Sequence, residues 1–83
     1  MATIKVYGAS WCPDTRDTIA HLKEVGVPFD YLDIDSDPSA KQWVLDHNDG
    51  KQKLPTVEVN KTILSIPEDD ELDQAMRANG VTV

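Results

Sequence analysis

The chain has 83 residues, 40% hydrophobic and 28% charged, with 15 acidic against 8 basic side chains and a net charge of −7. That length predicts one domain, residues 1–83, with one modest core. The acidic balance argues against nucleic acid or an anionic membrane as partner, since both call for a basic patch. A single cysteine excludes an internal disulfide and any multi-cysteine zinc site. Met1 to Tyr7 is too short and too polar for a secretory leader, and no apolar run reaches membrane-spanning length. These features make a cytoplasmic location the expectation.

In chain order, Thr3 to Tyr7 alternates and is β-branched, which predicts a strand. Gly8-Ala9-Ser10 is a loop. A helix is expected over Pro13 to Val25, with Thr15, Ile19, Leu22 and Val25 on its buried face. Gly26 suits a left-handed C-cap and Pro28 prevents continuation. Phe29 to Ile34 reads as a second strand, and a helix between two strands implies a parallel, right-handed crossover. Asp37 caps a second helix with Pro38 at its first position. Ala40, Trp43, Val44 and His47 mark its inner face, and Asn48-Asp49-Gly50 stops it. Lys51-Gln52-Lys53 is a basic loop in an acidic chain. Leu54-Pro55-Thr56 leads into strand Val57 to Val59, and Asn60-Lys61 turns the chain into strand Thr62 to Ser65. Pro67 ends that strand. A last helix is expected over Glu68 to Ala78, with Leu72, Ala75 and Met76 inward, closed by Asn79-Gly80, and Val81 to Val83 is a tail. The order β-α-β-α-β-β-α is an α/β architecture with helices on both faces of a small sheet.

Cys12 falls on the turn between the first strand and the first helix, in Ser10-Trp11-Cys12-Pro13-Asp14-Thr15-Arg16. Backbone N–H groups without partners and the summed peptide dipoles make a helix start electropositive. A thiol there is drawn toward thiolate, the nucleophilic form. Pro13 fits the first helical position, where its missing N–H costs nothing. Arg16 either supports the thiolate or is a solvated residue pairing with Asp17 or Asp14. Asp14 opposes the thiolate as a nearby like charge. Thr15 either offers its hydroxyl to the sulfur or is simply a helix residue of suitable size. Trp11 has a ring on which a substrate can stack, whereas Trp43 reads as core. The alternative for Cys12 itself is a buried, inert hydrophobe. His21, mid-helix, reads as surface or packing, and His47 as a dipole contact at a helix end. The acidic run Glu68-Asp69-Asp70-Glu71 reads either as charge stabilising a helix start or as a docking patch.

These residues together resemble a glutaredoxin, within the thioredoxin fold. Ser10-Trp11-Cys12-Pro13-Asp14-Thr15 resembles the family's S-W-C-P-x-C site, and Leu54-Pro55-Thr56-Val57 its x-P-T/Q-V segment. Ile66 to Leu72 stands at the place of its I-G-G-x-D-D-L. The resemblance implies a four-stranded mixed sheet in the order 2-1-3-4 and a cis Pro55 whose loop faces Cys12. It places substrate binding at Leu54, Pro55, Asp69 and Asp70, with Lys51 and Lys53 as nearby cations. Four departures stand out. Thr15 replaces the second cysteine, Ala9 the usual basic residue, and Pro67 and Glu68 the two glycines on whose backbone the glutathione γ-glutamyl group docks. The Pro-bearing segment is more similar to actinobacterial mycoredoxins.

With one cysteine, the implied chemistry is monothiol exchange. Cys12 attacks a mixed disulfide of a protein with a small thiol, supported by Trp11, Pro13, Thr15 and Arg16, and a second small thiol regenerates it. The expected co-substrate is glutathione or another low-molecular-weight thiol, with no tightly bound cofactor, no metal, and a monomeric chain. Two other readings stay open: a redox-weak binding module of the same fold, and iron–sulfur handling as in glutaredoxins with a C-G-F-S site.

Overall fold

The first strand, β1 (Ile4–Gly8), is the centre of the structure, and its alternation sends side chains to both faces of the sheet. The computed structural model describes residues 4–81. After β1 come α1 (Pro13–Val25), β2 (Asp30–Asp33), α2 (Pro38–His47), β3 (Thr56–Val59), β4 (Thr62–Ser65) and α3 (Asp69–Ala78). The sheet has the expected order β2-β1-β3-β4. β1 pairs in parallel with β2 and antiparallel with β3, and β3 pairs antiparallel with β4. Thr3 of the expected first strand, and Thr82 and Val83 of the tail, lie outside the described residues.

Two apolar clusters lie against the two faces. Ile4 and Val6 stand opposite Val59 and Val57 in the β1–β3 register, and with Leu22 of α1 and Leu72, Ala75 and Met76 of α3 they form the larger cluster. Each such Leu, Val, Ile or Met contributes about 1.5–3 kcal/mol over its exposed state. Tyr7 faces the other way, and with Ala9, Cys12, Ile34, Ala40, Val44 and Leu54 builds the second cluster under α2. Trp43 is half-buried at its edge, its ring stacked on Tyr7 at 3.9 Å between centroids.

The ends of the elements follow their side chains. Asp37 accepts from the Ser39 and Ala40 N–H groups at 3.0 and 3.2 Å and caps α2. Such a cap is worth about 1 kcal/mol. Gly26 closes α1 at φ 78, with its own and the Val27 N–H on the Leu22 carbonyl. Asn60 takes φ 56 in the two-residue turn between β3 and β4.

Several boundaries and faces differ from expectation. β2 is confined to Asp30–Asp33; it is an edge strand, and Phe29 packs on the core from before it. On α1 the fully buried positions are Thr15, Thr18 and Leu22, while Ile19 and Val25 are only partly buried. Thr18 escapes a periodicity argument because its polarity hides it. His47 is exposed rather than inward; its Nδ1 bonds the Trp43 carbonyl at 2.7 Å, and its ring lies tilted against Trp43. Helix α3 starts at Asp69, with Glu68 as its cap.

Gly8 marks the tightest approach of helix to sheet. A Cβ there would lie 2.5 Å from Cγ2 and Oγ1 of Thr15. Gly8→Ala is therefore expected to cost about 1–3 kcal/mol, as overpacking does. Chemical denaturation should show that loss and its partial recovery in the Gly8→Ala/Thr15→Ala pair.

Candidate active site

Cys12 is the N-cap of α1, in extended conformation at φ −83 and ψ 119, followed by Pro13 at the first helical position. Its carbonyl accepts the Arg16 N–H at 3.1 Å and its N–H bonds the Ala9 carbonyl at 3.0 Å, so the turn is fixed on both sides. The residue is 9% exposed. Its Sγ lies 3.9 Å from the carbonyl oxygen of Leu54. The Leu54–Pro55 peptide is cis. The expected meeting of the cysteine turn with the proline loop is thus present, and the sulfur sits at the mouth of the smaller apolar cluster.

The neighbours of Cys12 divide. Thr15 does not bond the sulfur: its side chain is fully buried against Gly8 and its hydroxyl accepts the Ala9 N–H at 3.5 Å. Arg16 is exposed and, among the described residues, pairs with neither Asp14 nor Asp17. Trp11 is 60% exposed beside the sulfur, with its indole N–H donating to Asp35 at 2.7 Å. Ala9 is wholly buried. Lys51 and Lys53 are exposed on the loop before Leu54. Asp70 is exposed at the start of α3. Glu68, whose backbone N–H points out of the α3 start, has that group taken by the Glu71 carboxylate at 3.3 Å.

Two residues that brace the fold were not legible as such. Asn48, read only as a helix stop, is buried. Its amide donates to the Val44 carbonyl at 2.7 Å and to Thr56 Oγ1 at 3.1 Å, and its oxygen accepts from Ser65. Thr56 in turn donates to the Lys53 carbonyl at 2.7 Å. One side chain thus ties α2, the proline loop and β4 together. The Ile66 N–H adds a bond to the Pro55 carbonyl at 2.8 Å. His21 is the second. Its Nε2 lies 2.8 Å from Asp73 and its Nδ1 3.5 Å from Asp69, joining α1 to α3. Asp69 is thereby engaged within the chain. The Asp73 hydrogen bond raises the His21 pKa, against an opposing effect of burial and with further help from the charges of Asp69, Asp73 and Glu24. Asp14, Asp17, His21, Glu24, Glu68 and Asp69 line an acidic groove of about 550 Å³ between α1 and the α3 start.

A parallel β-α-β unit with a cysteine at its helix start, facing a cis-proline loop across the sheet, defines a thioredoxin-like protein. A glutaredoxin profile matches residues 4–64, and the chain belongs to the glutaredoxin family. It is 37% identical over 57 residues to Mycoredoxin 1 of Corynebacterium glutamicum, covering 69% of this chain and 70% of that protein. Among solved structures it is similar to the glutaredoxin of Archaeoglobus fulgidus, with TM-score 0.76 and 26% identity, covering 93% of this chain and 88% of that one. A mutant of the thioredoxin-like protein BC3987 superposes at TM-score 0.82 with 25% identity, over 93% and 97% of the two chains. Membership supports a glutaredoxin-like redox function. No helix among the described residues is long and apolar enough to cross a membrane.

Two outcomes follow from the residues that sequence reasoning missed. Asn48→Ala should destabilise the fold by about 1–3 kcal/mol, because it strands buried partners, with urea unfolding as the readout. For His21, a raised folded pKa means stability that is complete below the unfolded value of about 6.5 and lost as pH rises through the folded value. The excess Tm of wild type over His21→Gln should be largest between about pH 4.5, where the carboxylates are charged, and 6.5, then shrink toward alkaline pH.

Proposed function

We propose that the protein is a monothiol oxidoreductase for mixed disulfides between proteins and a small thiol. The observation that carries the reading is Cys12, the chain's one thiol, capping α1 with its sulfur 3.9 Å from the Leu54 carbonyl. In the first half-reaction the Cys12 thiolate attacks the small-thiol sulfur of the mixed disulfide. That S–S bond breaks, the protein thiolate leaves with the electron pair, and a Cys12–small-thiol disulfide forms. A second small thiolate then attacks that disulfide at the small-thiol sulfur, returning Cys12 and releasing the small thiol as its symmetrical disulfide. No second protein thiol takes part, in keeping with Thr15 at the position of the family's second cysteine.

The roles fall to named groups. The helix start and Arg16 favour the charged sulfur, and Trp11 offers an exposed face to the incoming disulfide. The Leu54 backbone beside Pro55 bonds the small thiol's peptide-like part, with Lys51 and Lys53 near enough to meet a carboxylate. Asp69 and Asp70 stand at the other end of that site. The co-substrate is glutathione or another low-molecular-weight thiol, the acting unit is a monomer without a tightly held cofactor, and the compartment is the cytoplasm. Three features disfavour glutathione: Ala9 carries no charge, Pro67 has no N–H, and the Glu68 N–H is held by Glu71. Losing the charged partner at Ala9 and the backbone donor at Pro67 amounts to about 3–6 kcal/mol, a loss that Lys51 and Lys53 offset in part.

The test is reduction of a small glutathione mixed disulfide under saturating glutathione. Wild type should turn over weakly, Cys12→Ser not at all, and the Lys51→Ala/Lys53→Ala variant more slowly than wild type. Turnover equal to that of an ordinary glutaredoxin would remove Ala9, Pro67 and Glu68 from the account. Clear activity with a different small thiol and none with glutathione would place the chain on the mycoredoxin-like side. Inactivity with every thiol, beside a stable complex with a protein, would leave the binding module instead.

A further inference from the structure

Helix α1 carries opposite charges on its two flanks. Asp14, Asp17, His21 and Glu24 follow one another at helical spacing and face α3, where they line the acidic groove. On the other flank, toward β2, lies a second groove of about 320 Å³, lined by Ser10, Thr15, Arg16, Ile19, Ala20, Lys23 and Tyr31. Apart from the two cations its walls are mostly apolar or aromatic, and no carboxylate lines it. Arg16 and Lys23 stand seven residues apart, about 10 Å along the helix, and both are exposed. Among the described residues neither forms a salt bridge. They share this with every other lysine and arginine among the described residues; what marks the groove is that it carries two cations and no carboxylate lines it.

The groove adjoins the nucleophile. Ser10 lies two residues before Cys12, and the Arg16 N–H is bonded to the Cys12 carbonyl. Tyr31 is 38% exposed on the edge strand. Burial first, then the charges of Asp33, Asp35 and Cys12, raise its phenol pKa. Of the two nearby carboxylates, Asp35 accepts the Trp11 indole N–H and Asp33 the Asp35 backbone N–H at 2.9 Å, and neither lines the groove.

A mixed disulfide that reacts in line at Cys12 has two halves. The monothiol reading, on which this inference rests, seats the small thiol on the side of Leu54 and the α3 start. The groove on the β2 flank is free for the other half. We infer that it receives the target protein's own segment beside the reacting cysteine, and that it selects segments carrying aspartate or glutamate next to an apolar residue. The apolar side chain lies on Ile19, Ala20 and Tyr31, and the carboxylate meets Arg16 or Lys23. Such exposed charge pairs act chiefly through encounter rate and orientation, and salt weakens them.

The experiment uses three short cysteine peptides, each with leucine and one variable residue beside the cysteine: Glu, Gln or Lys. A compensating charge at the far end keeps their net charge equal. Each is supplied as its mixed disulfide with glutathione. The Cys12 thiolate attacks the glutathione sulfur, a Cys12–glutathione disulfide forms, and the peptide thiolate leaves with the electron pair, its release followed by chromatography of quenched samples. At low salt the Glu peptide should react about tenfold faster than the Lys peptide. The order should fade near 1 M salt, where the screening length is about 3 Å. It should collapse or invert in Lys23→Glu, each rate being taken relative to the Gln peptide on the same protein. Equal rates for the three peptides, or an order that survives Lys23→Glu, would overturn the inference while leaving monothiol exchange intact. A faster Lys peptide would overturn it too, and would assign peptide selection to the acidic flank. Binding is read separately from chemistry by amide shifts of Cys12→Ser titrated with the reduced peptides. If no peptide exchanges with wild type and yet the Glu peptide shifts Ser10, Ile19, Lys23 and Tyr31, the groove stands and the monothiol reading falls.

Discussion

The contact between the Cys12 sulfur and the Leu54 carbonyl joins two turns that lie 42 residues apart in the chain. One turn belongs to the parallel β1-α1-β2 unit, the other to the connection from α2 into β3. At that distance a thiol S–H reaches a carbonyl oxygen as a weak hydrogen bond. The cysteine turn and the proline loop are therefore coupled through a single weak bond.

What keeps both turns in place is spread over the fold. The cysteine turn is seated by the close approach of α1 to β1, which only a glycine at position 8 permits beside Thr15. The proline loop is held from below by Asn48, Thr56 and Ser65 and at its end by Ile66. No buried side-chain polar atom among the described residues lacks a partner, so this network adds rigidity without a stranded group. The residue at the second-cysteine position has become structural. Thr15 packs the helix on the strand and its hydroxyl accepts the Ala9 backbone N–H of the turn.

Most of the fold was legible in the sequence because its signals are local. The Asp37-Pro38 start of α2, the Gly26 close of α1, the Asn60-Lys61 turn and the alternation of β1 each depend on neighbouring residues. The sheet order and the proline loop came from the resemblance carried by the Ser10–Arg16, Leu54–Val57 and Ile66–Leu72 segments. The site was legible as far as Cys12 and its partner loop. Asn48 was not, because its meaning lies in Val44, Thr56 and Ser65, which only folding brings together. His21 was not, because its partners Asp69 and Asp73 lie on another helix about fifty residues on. Of the two readings of Thr15, the structure shows the packing one: buried against Gly8, its hydroxyl accepts the Ala9 backbone N–H rather than reaching the sulfur. The two charge stripes of α1 are present in the sequence spacing, yet which flank faces α3 and which faces the edge strand is decided by the sheet.

The central claim is that Cys12 alone carries reversible exchange with a small thiol. Intact-mass measurement of the purified protein after brief exposure to glutathione disulfide, followed by fresh reduced thiol, tests it most directly. The account predicts a single adduct of one thiol per chain, absent in Cys12→Ser and removed within the mixing time or soon after. A Cys12 that takes no adduct from glutathione disulfide or any other small-thiol disulfide, or an adduct that fresh thiol cannot remove, would contradict it.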